Sequence, residues 1–282
     1  LLMCKQAQLN PVPYLIGVAT ASNIGSAGTL IGNPQNILIG SLSAIPFLSY
    51  FIIAAPLAGI GLFLNYTIVR YFYKHELYGE VPPSMPITGV YHRHLVMKSL
   101  AVTALILAGF VAGFNAAVVA SLGSAYLLIT RRLKPNKVYA SIDFNLLVIF
   151  IGLFSVIGGV EKSGLMQWIM QWFSAVDFSN FTFFTLLTIF LSNVFSNVPA
   201  VLLLKFFIPV DNAGLWWTGM GVFSTFAGNL TLAGSIANLI VVEIAKRENV
   251  KITFGDYVKI GAPLTVVMTI IGVLYFRVLY NI

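Results

Sequence analysis

Long uncharged, apolar stretches alternate with short polar joints along this chain. They cover residues 47–69, 99–130, 144–160, 178–204, 212–242 and 260–276. A transmembrane helix takes about 17–25 such residues. The pattern therefore predicts long segments at 11–40, 47–73, 94–113, 115–130, 143–160, 179–209, 214–245 and 254–280. The run 99–130 is divided at Gly113-Phe114-Asn115, because about 32 helical residues measure about 48 Å against a hydrocarbon core of about 30 Å. Two short spans fit better than one very long helix.

Composition agrees. Of 282 residues 58% are hydrophobic and 9% charged, against about 25% charged in soluble domains, and the mean hydropathy is +0.90. The fold class is an all-α polytopic membrane protein. A soluble enzyme, a nucleic-acid binder and a disulfide-stapled domain are excluded, and the single Cys4 can form no internal disulfide. The net charge of +7 reports orientation, since Lys and Arg concentrate in cytoplasmic loops. If 74–93 is cytoplasmic, Arg131, Arg132, Lys134 and Lys137 return there two spans later. Lys246, Arg247, Lys251 and Lys259 join them only if 179–209 enters and leaves on one side. That arrangement puts 13 of 16 basic residues inside and favours a re-entrant hairpin.

The chain also repeats itself. Thr29-Leu30-Ile31-Gly32-Asn33-Pro34-Gln35-Asn36 returns 202 positions on as Thr231-Leu232-Ala233-Gly234-Ser235-Ile236-Ala237-Asn238, and Ser22 falls on Ser224. Beyond an insertion, Phe47, Tyr50, Pro56 and Arg70 match Phe254, Tyr257, Pro263 and Arg277 at an offset of 207. An odd number of crossings separates the copies, so the repeat is inverted. Inverted repeats with broken helices are the architecture of secondary transporters. The hairpin turn Ser196-Asn197-Val198-Pro199 has its counterpart ahead of Leu1 at the same offset. Residues 1–73 thus read as the remainder of a first repeat, with 1–9 the outgoing arm of its hairpin. Residues 74–94 read as a cytoplasmic loop and 95–282 as a complete second repeat.

Candidate chemistry sits at the breaks. Residues 22–36 (SNIGSAGTLIGNPQN) and 224–238 (STFAGNLTLAGSIAN) place Gly, Pro and small polar residues inside apolar segments. Unwound backbone at membrane depth is tolerated only where it lines a cavity or is buried in protein. Its carbonyls suit a cation and the following half-helix N-terminus suits an anion. The candidate binding residues are Ser22, Asn23, Gly32, Asn33, Pro34 and Asn36 in the first break, and Asn229, Thr231, Gly234, Ser235 and Asn238 in the second. Ser196, Asn197 and Pro199 join them at the hairpin turn. A small-residue seam at Gly25 and Gly32 is the plainer reading of the first break, and a structural turn that of the third. Lys205 is either an intramembrane charge or a snorkelling one. His92 and His94 lie in a basic loop without a third ligand, so a zinc site is not expected.

Residues 21–38 (ASNIGSAGTLIGNPQNIL), 192–204 (SNVFSNVPAVLLL) and 232–245 (LAGSIANLIVVEIA) resemble the ion-transporter superfamily. That group includes arsenite-efflux permeases, NhaD-type sodium/proton antiporters, and dicarboxylate and citrate-type symporters. The likeness extends over essentially the whole chain, which is similar to the C-terminal two-thirds of a bacterial inner-membrane anion permease. It implies a multi-pass protein of a prokaryotic plasma membrane with no cofactor beyond Na+ or H+ as coupling ion. A small anionic substrate and the lipid bilayer are its implied partners, with a homodimer left open. It also implies sodium sites at Gly32 and at Gly234 with Asn197, and substrate contacts at Asn33-Pro34 and Ser235-Ile236. Val198 stands where the dicarboxylate branch carries Thr, and Ile236 where it carries Pro. The reading is a secondary transporter of a small anion, arsenite-type or other, with a sodium/proton antiporter as the alternative and a non-transporting or channel-like protein behind both. Single cysteines at Ser179 and Asp211 should both react with an impermeant thiol reagent from outside; labelling from opposite faces contradicts the hairpin.

Overall fold

The computed structural model describes residues 1–77, 93–129, 136, 139–140, 142, 144–165, 168, 171 and 178–281. Most of the loop expected at 74–94 lies outside the described residues, as do His92, Arg131, Arg132, Lys134, Lys137 and Asp143. Every regular element among the described residues is helical. In chain order these are α1 (Leu2–Gln6), α2 (Pro11–Ala27), α3 (Pro34–Ser43), α4 (Phe47–Phe72), α5 (Lys74–Leu77), α6 (Arg93–Val111) and α7 (Ala116–Ile129). They continue with α8 (Phe144–Lys162), α9 (Phe181–Phe195), α10 (Asn197–Leu204), α11 (Ala213–Ala227), α12 (Ile236–Arg247) and α13 (Phe254–Tyr280). Helices α4, α6 and α13 are each long and apolar enough to cross a membrane.

Helices stop where local chemistry stops them. The side chain of Asn10 accepts from the Val12 N–H to open α2. Asn33 does the same for the Asn36 N–H at the start of α3, where Pro34 loses nothing by lacking an N–H. Ser235 caps α12 through the Ala237 N–H. Thr253 and Asp256 form a reciprocal capping box at α13. The segment 214–245 is therefore two helices with residues 228–235 between them, and 11–40 is two helices with 28–33 between them.

The described residues form two compact units. One draws on Pro46–Leu48 and Thr88–Asp177. In it α6 and α7 pack closely, because Gly109 and Gly123 leave space for Val119 and Ile106. Gly113, at φ +82°, makes the turn between them.

The other unit draws on Leu1–Ile45, Ser49–Ile87 and Phe178–Ile282. Its centre is α11, buried at 12 of its 15 positions and packed against α2, α3, α9, α10 and α13. A cluster of rings joins α9 to this centre. Phe181 lies with its centroid 5.5 Å from Trp216, 6.0 Å from Phe223 and 5.2 Å from Phe276. A second core gathers Ile16 and Ala19 of α2, Val69 and Tyr73 at the end of α4, Ala245 of α12, and Tyr257 and Ile260 of α13. Polar ties surround it: Lys5 with Glu248, and Asn10 with Glu76. The Lys5 ammonium holds the Glu248 carboxyl below its usual range.

Gly219 is the tightest point of the α9 seam, since a Cβ there would lie 2.8 Å from the Phe181 ring. Gly219→Ala should lower stability by about 1–3 kcal/mol through overpacking. Gly25→Ala, which meets nothing within 4 Å, should be neutral or stabilising. Thermal unfolding of the purified proteins in detergent distinguishes the two.

Candidate functional site

Breaking a helix inside an apolar unit strands its last carbonyls, and side-chain amides recover them here. At the first break Asn36 Nδ2 donates to the carbonyls of Ser26 at 3.3 Å and Thr29 at 3.0 Å, and to Tyr50 Oη at 3.1 Å. The Tyr50 hydroxyl in turn donates to the Ala27 carbonyl at 3.1 Å. At the second break Asn238 Nδ2 donates to the carbonyls of Gly228 at 2.8 Å and Thr231 at 3.3 Å. Asn193 of α9 adds a bond to the Ala227 carbonyl at 3.1 Å. Each Asn therefore closes its own break, and the two sets of partners are 202 positions apart.

Glycine makes these turns possible. A Cβ on Gly32 would sit 2.0 Å from the Ser26 carbonyl oxygen, and one on Gly261 2.0 Å from that of Asn229. Gly25 by contrast faces open space. Among the described residues nothing packs on Gly25, and the nearest neighbour of Gly32 is Ser26 of its own break.

The two breaks also hold each other. Ser235 Oγ donates to Asn23 Oδ1 at 2.8 Å, and Asn33 Nδ2 donates to Thr225 Oγ1 at 3.0 Å. Position 225 is 23 plus 202, and 235 is 33 plus 202, so the two bonds are reciprocal. Asn23 Nδ2 further donates to Asn229 Oδ1 at 2.8 Å and to Asn238 Oδ1 at 3.0 Å. Gln35 Nε2 reaches Thr225 Oγ1 at 3.3 Å. This network ties the caps of α3 and α12 to the ends of α11 and α2.

The hairpin turn stands beside it. Ser196 joins α9 to α10 at φ 76° and ψ 158°, a region almost reserved for glycine and costing about 1–3 kcal/mol. Asn197 follows at the first turn of α10, which packs on α3 and α11. Its Oδ1 is buried without a hydrogen-bond partner among the described residues, as are Ser192 Oγ, Thr185 Oγ1 and Asn36 Oδ1. Among the described residues the buried polar set is Thr, Ser, Asn and Gln, with no charged side chain. No group of three His, Cys, Asp or Glu comes together among them either.

Of the residues singled out from sequence, Asn23, Asn33, Asn36, Asn229, Thr231, Ser235 and Asn238 share this network. Gly32, Pro34 and Gly234 shape its turns, and Asn197 is buried with Pro199 two residues on in the same helix. Ser22 and Ser196 are exposed. Sequence reasoning missed Asn193, Thr225, Gln35 and Tyr50. Asn193 was legible in principle, as an amide inside an apolar helix three positions before Ser196. Thr225, by contrast, reads like any helical threonine.

A family model described as "Citrate transporter" matches residues 1–214. The chain belongs to the citrate transporter family. It is 26% identical over 306 residues to an uncharacterised transporter of Mycobacterium tuberculosis, covering 99% of this chain and 70% of that one. It is 29% identical over 347 residues to a silicon efflux transporter of Oryza sativa subsp. japonica, covering 96% and 71%. A 46 kDa membrane protein of Mycobacterium leprae matches at 25% over 303 residues, covering 99% and 70%. As a member of this family the protein is a multi-pass membrane transporter and not an enzyme.

Asn23 is the hinge of the network, donating twice and accepting once. Asn23→Ala leaves buried partners unsatisfied and should cost about 1–3 kcal/mol. Asn23→Asp turns both donors into an acceptor facing two amide oxygens and should cost more. Melting temperatures at pH 7 test that order.

Proposed function

We propose that this citrate transporter family member moves a small anion by secondary active transport, driven by a sodium or proton gradient. The observation that carries this reading is the reciprocal pair Asn33–Thr225 and Ser235–Asn23. It draws the N-termini of α3 and α12 onto the opposite broken helix in a buried region without fixed charge. Each helix N-terminus acts as about half a positive charge, and two of them favour an anion without a competing carboxylate. The 202-residue relation between the two bonds supports an inverted repeat. The length of α9, about 22 Å for its 15 residues, is short of a full crossing and supports a re-entrant hairpin.

The cargo is an arsenite-type or other inorganic or organic anion, and the setting a bacterial cytoplasmic membrane, a reading supported by likeness to a mycobacterial membrane protein. We assign a sodium ion to Gly234 and Asn197, because Asn197 Oδ1 is buried without a hydrogen-bond partner among the described residues. It would have to draw the Ala227, Gly228 and Thr231 carbonyls away from the amides of Asn193 and Asn238. A cation at Gly32 faces the same competition from Asn36. A sodium/proton antiporter is less supported, because it requires an embedded carboxylate and the described buried set has none.

Proteoliposomes carrying the full-length polypeptide test this. Labelled arsenite and citrate are offered under an inward sodium gradient, a pH gradient, and neither. Accumulation of one anion under one gradient is expected, and flux indifferent to both gradients refutes the reading. Asn197→Ala should lower transport at subsaturating substrate about tenfold or more, each tenfold being about 1.4 kcal/mol, at an unchanged melting temperature. Asn238→Ala should instead lose stability, because its amide closes the second break.

A further inference from the structure

The start of α9, the start of α11 and the last turn of α13 enclose a pocket of about 370 Å³, within the range of about 300–1,000 Å³ usual for small-molecule sites. Its polar lining includes Asn180, Asp211, Asn212 and Arg277, with Phe181 and Trp216 as apolar wall. Helix α13 is long and apolar enough to cross a membrane, and Arg277 stands in its last turn. The pocket therefore sits at the level of the lipid headgroups. Trp216 and Tyr280 mark the same level, where aromatic side chains gather at membrane surfaces.

The lining holds one charge of each sign, and the two are not paired with each other. Arg277 Nη2 donates to Thr182 Oγ1 at 3.0 Å, and a guanidinium carries several more N–H donors. The Asp211 carboxylate forms no hydrogen bond or ion pair among the described residues. Asn212 leaves its amide unused as well. Its counterpart at the offset of 202, Asn10, caps α2 through the Val12 N–H, whereas Asn212 makes no side-chain cap on α11. Beyond the Arg277–Thr182 bond the seam between α9 and α13 is apolar and bare. Leu186 and Phe190 follow Thr182 by one and two turns, and Leu274 and Ile270 precede Arg277 by one and two turns. Each of these four is more than half exposed.

We propose that this pocket binds the headgroup of a phosphatidylethanolamine. The phosphate lies on the Arg277 guanidinium, the ammonium on the Asp211 carboxylate, and the acyl chains along the seam. Charge complementarity selects this occupant. A free inorganic anion or a purely anionic lipid would meet the Asp211 carboxylate as well as the guanidinium. A quaternary ammonium has no N–H for Asp211 or the Asn212 amide oxygen, and is recognised by open aromatic faces. The buried Trp216, packed edge to face with Phe181 and Phe184 at 5.5 and 5.2 Å, offers no such cage. A primary ammonium carries several N–H donors and suits the acceptors present. The site is independent of the cargo and of the coupling ion.

Native mass spectrometry of the full-length polypeptide, delipidated in detergent, tests this. It is titrated with dioleoyl phosphatidylethanolamine, phosphatidylcholine or phosphatidylglycerol, or with water-soluble glycerophosphoethanolamine. Phosphatidylethanolamine should bind about tenfold more tightly than the other two lipids, the worth of one hydrogen bond to a charged group. Arg277→Gln should weaken that binding about tenfold. Asp211→Asn, an isosteric change on an exposed residue that leaves the fold intact, should abolish the preference over phosphatidylglycerol. Equal binding of the three lipids, a preference that survives both substitutions, or a soluble headgroup that binds as tightly as the lipid overturns the assignment.

Discussion

Inside a bilayer no water rescues a backbone group that loses its helical partner, so a broken helix stands only if the protein bonds its freed carbonyls itself. This unit does so twice. Asn36 and Asn238 each reach back across a break to two carbonyls, and Tyr50 and Asn193 close a third in each copy. Much of the rest follows from that requirement. The closures need Gly32 and Gly261 to let chain pass close to chain. They also need α11 to be buried almost throughout, since it carries carbonyls of one break and receives the cap of the other. The protein can then afford polar residues at membrane depth without charge.

How much of this was written in the sequence differs from element to element. Helix identities, the division at Gly113 and the two broken segments follow from run length, proline and glycine, which act locally. The 202-residue repeat was legible because Thr29, Leu30, Gly32 and Asn36 return in order as Thr231, Leu232, Gly234 and Asn238. Partner assignments were not legible. Asn36 and Asn238 read as ligand-facing amides and are found bonded to their own backbone, a fact set by the path of the loop. Ser22 matched Ser224 equally well by offset, yet it lies on the exposed side of α2 while Asn23 next to it turns inward. The strained backbone of Ser196 left no mark at all, because a serine at a turn is ordinary and its φ and ψ are imposed by the packing of α9 and α10.

The copies are alike in how they close themselves and unlike in how they are tied. Asn23 bonds three residues of the second break, whereas its counterpart Thr225, with one short hydroxyl, spends a bond on its own Gly221 carbonyl. Asn36 Oδ1 consequently lacks the donor that Asn238 Oδ1 receives. Sequence drift at one position thus makes the network lopsided while each closure is kept.

The bond from Asn23 to Asn229 joins residues 206 positions apart, and the whole of the other unit lies between them in the chain. At a synthesis rate of about 5–20 residues per second, the chain reaches Asn229 roughly 10–40 s after Asn23 is made. Throughout that interval α2 and α3 hold amides that have no final partner. Assembly of this unit is therefore late and all but post-translational, and the nascent first half depends on an insertion machinery able to shelter uncharged polar groups for tens of seconds.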